Sequence, residues 1–222
     1  MLSMFRHLPK FSLLAFACLF VTQLYAHAIN YALEKVPAAD VAWFYFKLGT
    51  VHIIPGGVDH ILFVIALCLI NTTWKSILWQ ATAFTVAHSI TLALSMKNII
   101  SLPVGIVEPI IALSIAFVAI ENILLNELKA WRMLLVFGFG LIHGLGFARA
   151  LNETGLPRNQ FYTSIIAFNA GVEVGQIAVI AAVFLFLIMP FRQKMWYRKI
   201  IVYPLSALIA CIAIFWTIQR MQ

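Results

Sequence analysis

The sequence predicts an all-α integral membrane protein, a compact bundle of six transmembrane helices behind an N-terminal signal peptide or signal anchor. Three observations carry that prediction. Of the 222 residues, 63% are hydrophobic and 10% are charged, with a mean hydropathy of +0.97, more apolar surface than one water-soluble core can hide. The apolar residues fall into long runs that can cross or nearly cross a hydrocarbon core of roughly 30 Å, at about 1.5 Å per helical residue. Short connections join the runs and hold most of the basic residues, which is an orientation signal and a poor match to a nucleic-acid surface.

Residues 1–28 combine a basic start (Arg6, His7, Lys10), an apolar stretch and the small-residue cleavage candidate Ala26-His27-Ala28. This is the pattern of a signal peptide, with an uncleaved extra helix as the alternative. Residues 29–48 mix Glu34, Lys35 and Asp40 with the aromatic group Trp43-Phe44-Tyr45-Phe46, which suits an interfacial lead-in at headgroup level. Residues 49–222 form the membrane domain. Its spans run from Gly49 to Ile70, Ile77 to Met96, Val104 to Asn122, Trp131 to Ala150, Thr163 to Met189 and Ile200 to Gln219.

Starting the first span outside places Lys75, Lys129, Arg132 and the basic loop from Arg192 to Lys199 in the cytoplasm, as expected for a multi-pass protein of a bacterial inner membrane. Cys18, Cys68 and Cys211 sit in separate apolar segments, so neither a disulfide framework nor a thiolate metal site is indicated.

Ionisable groups inside such spans are expensive and point to function. Counted from the outer end of each span, Asp59 and His60 lie roughly 15 Å deep, His88 about 12 Å, His143 about 10 Å, and Asn169 and Glu173 about 9 and 15 Å. Imidazole and carboxylate are ligands for divalent transition metals, and a bound cation would stabilise the buried groups in return. His52, Asp59, His60, His88, His143 and Glu173 are therefore the candidate metal ligands, with Asn169, Gln176 and Glu108 in support. The alternative for each histidine is a hydrogen bond to a neighbouring helix.

The segments differ in what they offer. His52 and Asp59 are seven apart, but Pro55-Gly56-Gly57 interrupts the helix between them; broken backbone at membrane depth is tolerated where protein or a water-filled cavity satisfies it. A loop leading into a shorter span, with His52 at the interface, is the alternative. Thr85, His88 and Thr91 form a narrow polar strip. Glu108 sits near an outer end, where it could gate the site or pair helices, while Glu121 near an inner end is read as reaching water. Glycines around His143 allow close helix contact, and Asn169, Glu173 and Gln176 share one face.

These segments resemble the HupE/UreJ family of membrane proteins, across most of the chain after the leader. Gly57, Asp59 and His60 fit the end of the family's His-Pro-x-x-Gly-x-Asp-His pattern, although His52 stands one residue too far upstream and Pro55 is displaced. Ile142-His143-Gly144 fits the start of its Phe-His-Gly-x-Ala-x-Gly-x-Glu pattern, with Ala150 at the position of the glutamate. The chain looks like a divergent branch. The resemblance implies a nickel or cobalt permease associated with hydrogenase and urease maturation; the ligand chemistry also admits zinc.

Two other readings compete. An intramembrane hydrolase would use the Asp and His cluster to activate water on a metal, or Ser89 or Ser114 as nucleophile, but the sequence has neither a His-Glu-x-x-His helix nor a Gly-x-Ser-x-Gly turn. A scaffold would use the polar groups only to join helices. A nucleotide-binding Gly-x-x-x-x-Gly-Lys-Ser/Thr loop is also missing, so a transporter of this sequence would draw on a gradient or a partner.

Overall fold

The computed structural model describes residues 32–71 and 73–222, and the signal peptide or extra helix expected over residues 1–28 lies outside the described residues. The helices are α1 (Ala38–Ile53), α2 (Val58–Ile70), α3 (Trp74–Met96), α4 (Val104–Leu124), α5 (Arg132–Thr154), α6 (Phe161–Val183) and α7 (Tyr203–Arg220). A π-helical turn, Phe184–Ile188, prolongs α6, and another, Arg198–Val202, leads into α7. No strand occurs among the described residues.

Five helical stretches, Trp74–Met96, Val104–Leu124, Arg132–Thr154, Arg158–Phe191 and Arg198–Arg220, are long and apolar enough to cross a membrane. The pair α1 and α2 meets the same criteria jointly, as a broken span or re-entrant loop bent by 67°, which makes five spans, or six where the pair counts as one. Large side chains such as Leu134, Ile166 and Phe186 point out of the bundle at 74%, 69% and 78% exposure, where lipid would cover them.

The bend follows from local sequence. A residue before proline is pushed out of the helical region, and Ile54 is extended at φ −124° and ψ 115°. The Ile54–Pro55 peptide is cis. Gly56 and Gly57 complete the turn, and α2 starts at Val58. The run from Gly49 to Ile70 is thus the last turn of α1, a break, and α2. α1 itself begins at Ala38, inside the stretch assigned to the lead-in, and buries Val41 and Tyr45 completely. The Tyr45 hydroxyl donates to the Gly155 carbonyl at 2.6 Å, tying α1 to the end of α5.

The helices pack mainly as three pairs, α1 with α6, α3 with α5 and α4 with α7, while the short α2 touches α3, α4, α6 and α7 between them. Most of α2 is buried: His60, Phe63, Val64 and everything from Ala66 to Leu69. An apolar helix surrounded in this way shows little amphipathic pattern.

Close approach within the pairs depends on glycine. A methyl on Gly49 of α1 would run into the Phe168 carbonyl of α6, whereas one on Gly138 of α5 meets nothing within 4 Å. Overpacking of this kind costs about 1–3 kcal/mol when the backbone must shift. Gly49→Ala is therefore expected to lower the thermal unfolding midpoint of the detergent-solubilised protein, and Gly138→Ala to leave it unchanged or raise it. Equal midpoints for the two variants would show that α1 does not lean on α6 as described.

Candidate metal centre

The break between α1 and α2 places two histidines against each other. His52, in the last turn of α1, and His60, in the first turn of α2, have ring centroids 4.8 Å apart. His60 also faces His143 of α5 at 5.2 Å and His88 of α3 at 6.1 Å. Four helices thus deliver four imidazoles to one place, with His60 touching the other three. One ligand nitrogen each from His52, His60 and His88 lies within 4.8 Å of the others. His60, His88 and His143 are 7%, 0% and 1% exposed.

The hydrogen bonds around the cluster fix how two of these rings are protonated. Asn169 of α6 donates its Nδ2 to the Ile165 carbonyl at 2.9 Å, which turns its Oδ1 toward His88 Nδ1 at 3.2 Å. A carbonyl oxygen only accepts, so Nδ1 carries the hydrogen and Nε2 presents a bare lone pair. His143 follows the same logic. The Ser114 hydroxyl of α4 donates to the Ile111 carbonyl at 2.7 Å and so accepts from His143 Nε2 at 3.1 Å, leaving Nδ1 as the lone pair.

His52 Nε2, His60 Nε2, His88 Nε2 and His143 Nδ1 are all buried without a hydrogen-bond partner. Buried polar atoms are normally satisfied, and each exception costs on the order of 1–3 kcal/mol. Clustered ring nitrogens without hydrogen-bond partners are what a cation satisfies. Two nitrogens on one tetrahedral ion, at about 2.0–2.1 Å each, stand roughly 3.3 Å apart, so modest ring movements would close the cluster on an ion.

A cavity of about 470 Å³ reaches the cluster; His52, Asp59, His60, Glu108, His143 and Arg220 are among the residues lining it. Both Asp59 oxygens accept from Arg220 Nη2 at 3.0 Å. On the far side of the cluster stand Phe84 and Phe63, with centroids 4.9 and 5.6 Å from the His143 ring. The cavity opens toward the bundle end that the basic-residue pattern assigns to the outside.

The structure brings His52, Asp59, His60, His143 and Glu108 together around this cavity, with His88 packed against His60 and oriented by Asn169. Glu173 and Gln176 lie instead in the seam between α3 and α6. The Thr82 hydroxyl donates to Glu173 at 2.6 Å and the Thr85 hydroxyl to Gln176 at 3.0 Å. Their side chains extend the polar strip away from the three converging nitrogens. Sequence reasoning missed Ser114 as the partner of His143 and Arg220 as the partner of Asp59. A serine in an apolar span and an arginine at a span end carry no signal of their own; only the fold joins residues 59 and 220.

Of the two serines named as nucleophiles, Ser89 donates to the Thr85 carbonyl at 2.6 Å, while Ser114 donates to the Ile111 carbonyl at 2.7 Å and stands 3.1 Å from His143 Nε2.

Fold and site together define a multi-pass helical membrane protein with a buried histidine cluster built from several spans. The chain belongs to the HupE/UreJ family, whose model, described as HupE / UreJ protein, matches residues 28–220. No curated protein and no solved structure matches the chain.

Proposed function

We propose that the protein is a permease of the bacterial inner membrane for a divalent transition metal ion, nickel or cobalt first, with His52, His60 and His88 as the transient ligands. One observation carries the reading: His52, His60 and His88, from three helices, gather ligand nitrogens within 4.8 Å of one another, each ring with an unpartnered Nε2, beside a cavity that also presents carboxylates. The HupE/UreJ family is linked to nickel and cobalt transport, which supports the choice of ion and a role in supplying metalloenzyme maturation.

The geometry suits release as well as capture. A resident structural ion is held by a closed ligand shell, whereas a passing one needs several weak contacts. Here Glu108 at the cavity wall attracts the cation electrostatically, Asp59 is held by Arg220 until a cation arrives, and His143 stands beside the trio as a neighbouring stop. Phe63 and Phe84 close the far side, so passage requires these rings to move.

The direct test is calorimetric titration of the purified full chain with nickel and cobalt chloride, combined with metal accumulation in cells expressing it. Binding together with accumulation above vector controls is expected. Binding without accumulation reduces the protein to a receptor or sensor, and the lack of both removes the proposal. A sharper expectation concerns Asn169. Replacing it with leucine releases the His88 tautomer, and loss of an orienting partner typically weakens metal affinity 10–100-fold. Unchanged nickel affinity in Asn169→Leu would exclude His88 as a ligand.

A further inference from the structure

We infer that Arg220 is a built-in competitor for the metal ion: its guanidinium holds Asp59 when the cavity is empty, and an arriving divalent cation must displace it. The inference rests on reading the cavity as a divalent-cation site.

Asp59 is the anionic group nearest in sequence to His60, and both line the cavity. A carboxylate lining the same cavity as His52, His60 and His143 would be the natural charged ligand for an ion there, yet both its oxygens are already engaged by one nitrogen of Arg220. Arginine does not lose its proton in proteins, so Asp59 is freed only if the side chain moves.

The surroundings of Arg220 make that movement inexpensive. It is the last residue of α7, where a cation is favoured by the helix dipole whether or not it touches Asp59. Its guanidinium also lies 5.4 Å from the centre of the Trp216 ring, and Nη1 reaches the Glu108 carbonyl at 3.4 Å. Both contacts can keep the side chain at the cavity wall after it leaves Asp59. The pair is only partly covered, with side chains 22% and 26% exposed, so it forms and breaks in contact with water rather than in a dry interior.

The chemical consequence is a threshold. With Arg220 in place the carboxylate is neutralised, and a monovalent cation gains too little from neutral imidazoles to replace it. A divalent transition metal gains from both imidazoles and carboxylate. When the ion moves on, Arg220 returns and lowers the affinity behind it, which favours departure.

The arithmetic is that of a site competent for only part of the time: if the pair is formed in about 90% of empty molecules, removing it tightens apparent affinity about tenfold. Calorimetric nickel titrations of the wild-type full chain, Arg220→Gln, Arg220→Lys, Asp59→Asn and the Asp59→Asn/Arg220→Gln double variant test this. Arg220→Gln is expected to bind about tenfold more tightly than wild type. Arg220→Lys, whose single nitrogen cannot hold the Asp59 carboxylate and the Glu108 carbonyl from two separate donors as Nη2 and Nη1 do, is expected to bind several-fold more tightly, which also covers a glutamine variant that fails to fold.

In the Asp59→Asn background the Arg220→Gln gain should vanish. A gain that persists there makes Arg220 a general repulsive charge, and unchanged or weaker binding in both Arg220 variants makes it a structural clasp; either result overturns the inference while leaving the permease reading intact. Failure of the wild type to bind nickel or cobalt would instead remove the cation site itself, and the inference with it.

Discussion

His60→Leu is expected to abolish measurable nickel and cobalt binding while leaving the thermal midpoint of the solubilised protein unchanged or higher. His60 is the ring in contact with His52, His88 and His143. Removing it takes one ligand from the trio and leaves the remaining lone pairs on opposite sides of an apolar side chain. Loss of a mere orienting partner already costs 10–100-fold in affinity, so loss of a ligand should exceed about 100-fold.

The stability half of this expectation separates the competing readings. His60 Nε2 is buried without a partner, so exchanging the imidazole for a leucine of comparable bulk removes an unsatisfied polar atom and keeps most of the packing. A scaffold whose histidines hold helices together predicts the reverse, a marked fall in midpoint. Lost binding with retained stability identifies a functional histidine. Lost stability with no binding in the wild type would identify a structural one.

The histidine layer was legible in the sequence because helical rise is constant: counting residues from span ends placed His60, His88 and His143 at similar depth before any packing was known. The break at Pro55 was legible for the same kind of reason, since proline acts on its immediate neighbour. What depth alone does not determine is azimuth. Glu173 has the right depth, but its position on α6 directs it to Thr82 on α3. Asn169, one helical turn earlier, meets His88 instead. Rotation about the helix axis is fixed by the close contacts of α6 with α1, where Gly171 packs against the Phe46 carbonyl, and no local sequence pattern encodes that partner.

Tautomers were illegible too, because they depend on Ser114 and Asn169 arriving from other spans. Glu121 shows the limit most clearly. Near a predicted span end it read as reaching water, and Arg132 read as an orientation charge, but they are 5% and 2% exposed.

That buried pair leads to the largest expected effect on folding. Arg132 Nη1 donates to Glu121 Oε2 at 2.8 Å with both side chains almost fully enclosed, at the end of the bundle opposite the cavity. Gln80 Oε1 accepts from Arg132 Nε at 3.1 Å and Asn122 Oδ1 from Nη1 at 3.3 Å, while Asn122 Nδ2 donates to the Ala66 carbonyl at 2.7 Å. The network therefore joins α2, α3, α4 and α5. Breaking a buried ion pair from one side leaves an uncompensated charge and costs about 3–5 kcal/mol, whereas replacing both partners by apolar residues is often neutral or stabilising.

Arg132→Met is thus expected to reduce folded yield severely, because Glu121 would remain as a lone carboxylate among apolar helices. Glu121→Leu/Arg132→Met is expected to recover most of the yield and thermal midpoint. Size-exclusion profiles and unfolding midpoints of the solubilised variants provide the comparison. If Arg132→Met proved as stable as wild type, the carboxylate would have to be reached by water, and the bundle would be open at the end where the network now seals it. Recovery in the double variant with normal metal accumulation would assign the pair to folding alone. Recovery of folding without recovery of accumulation would place the pair on the route by which the ion leaves.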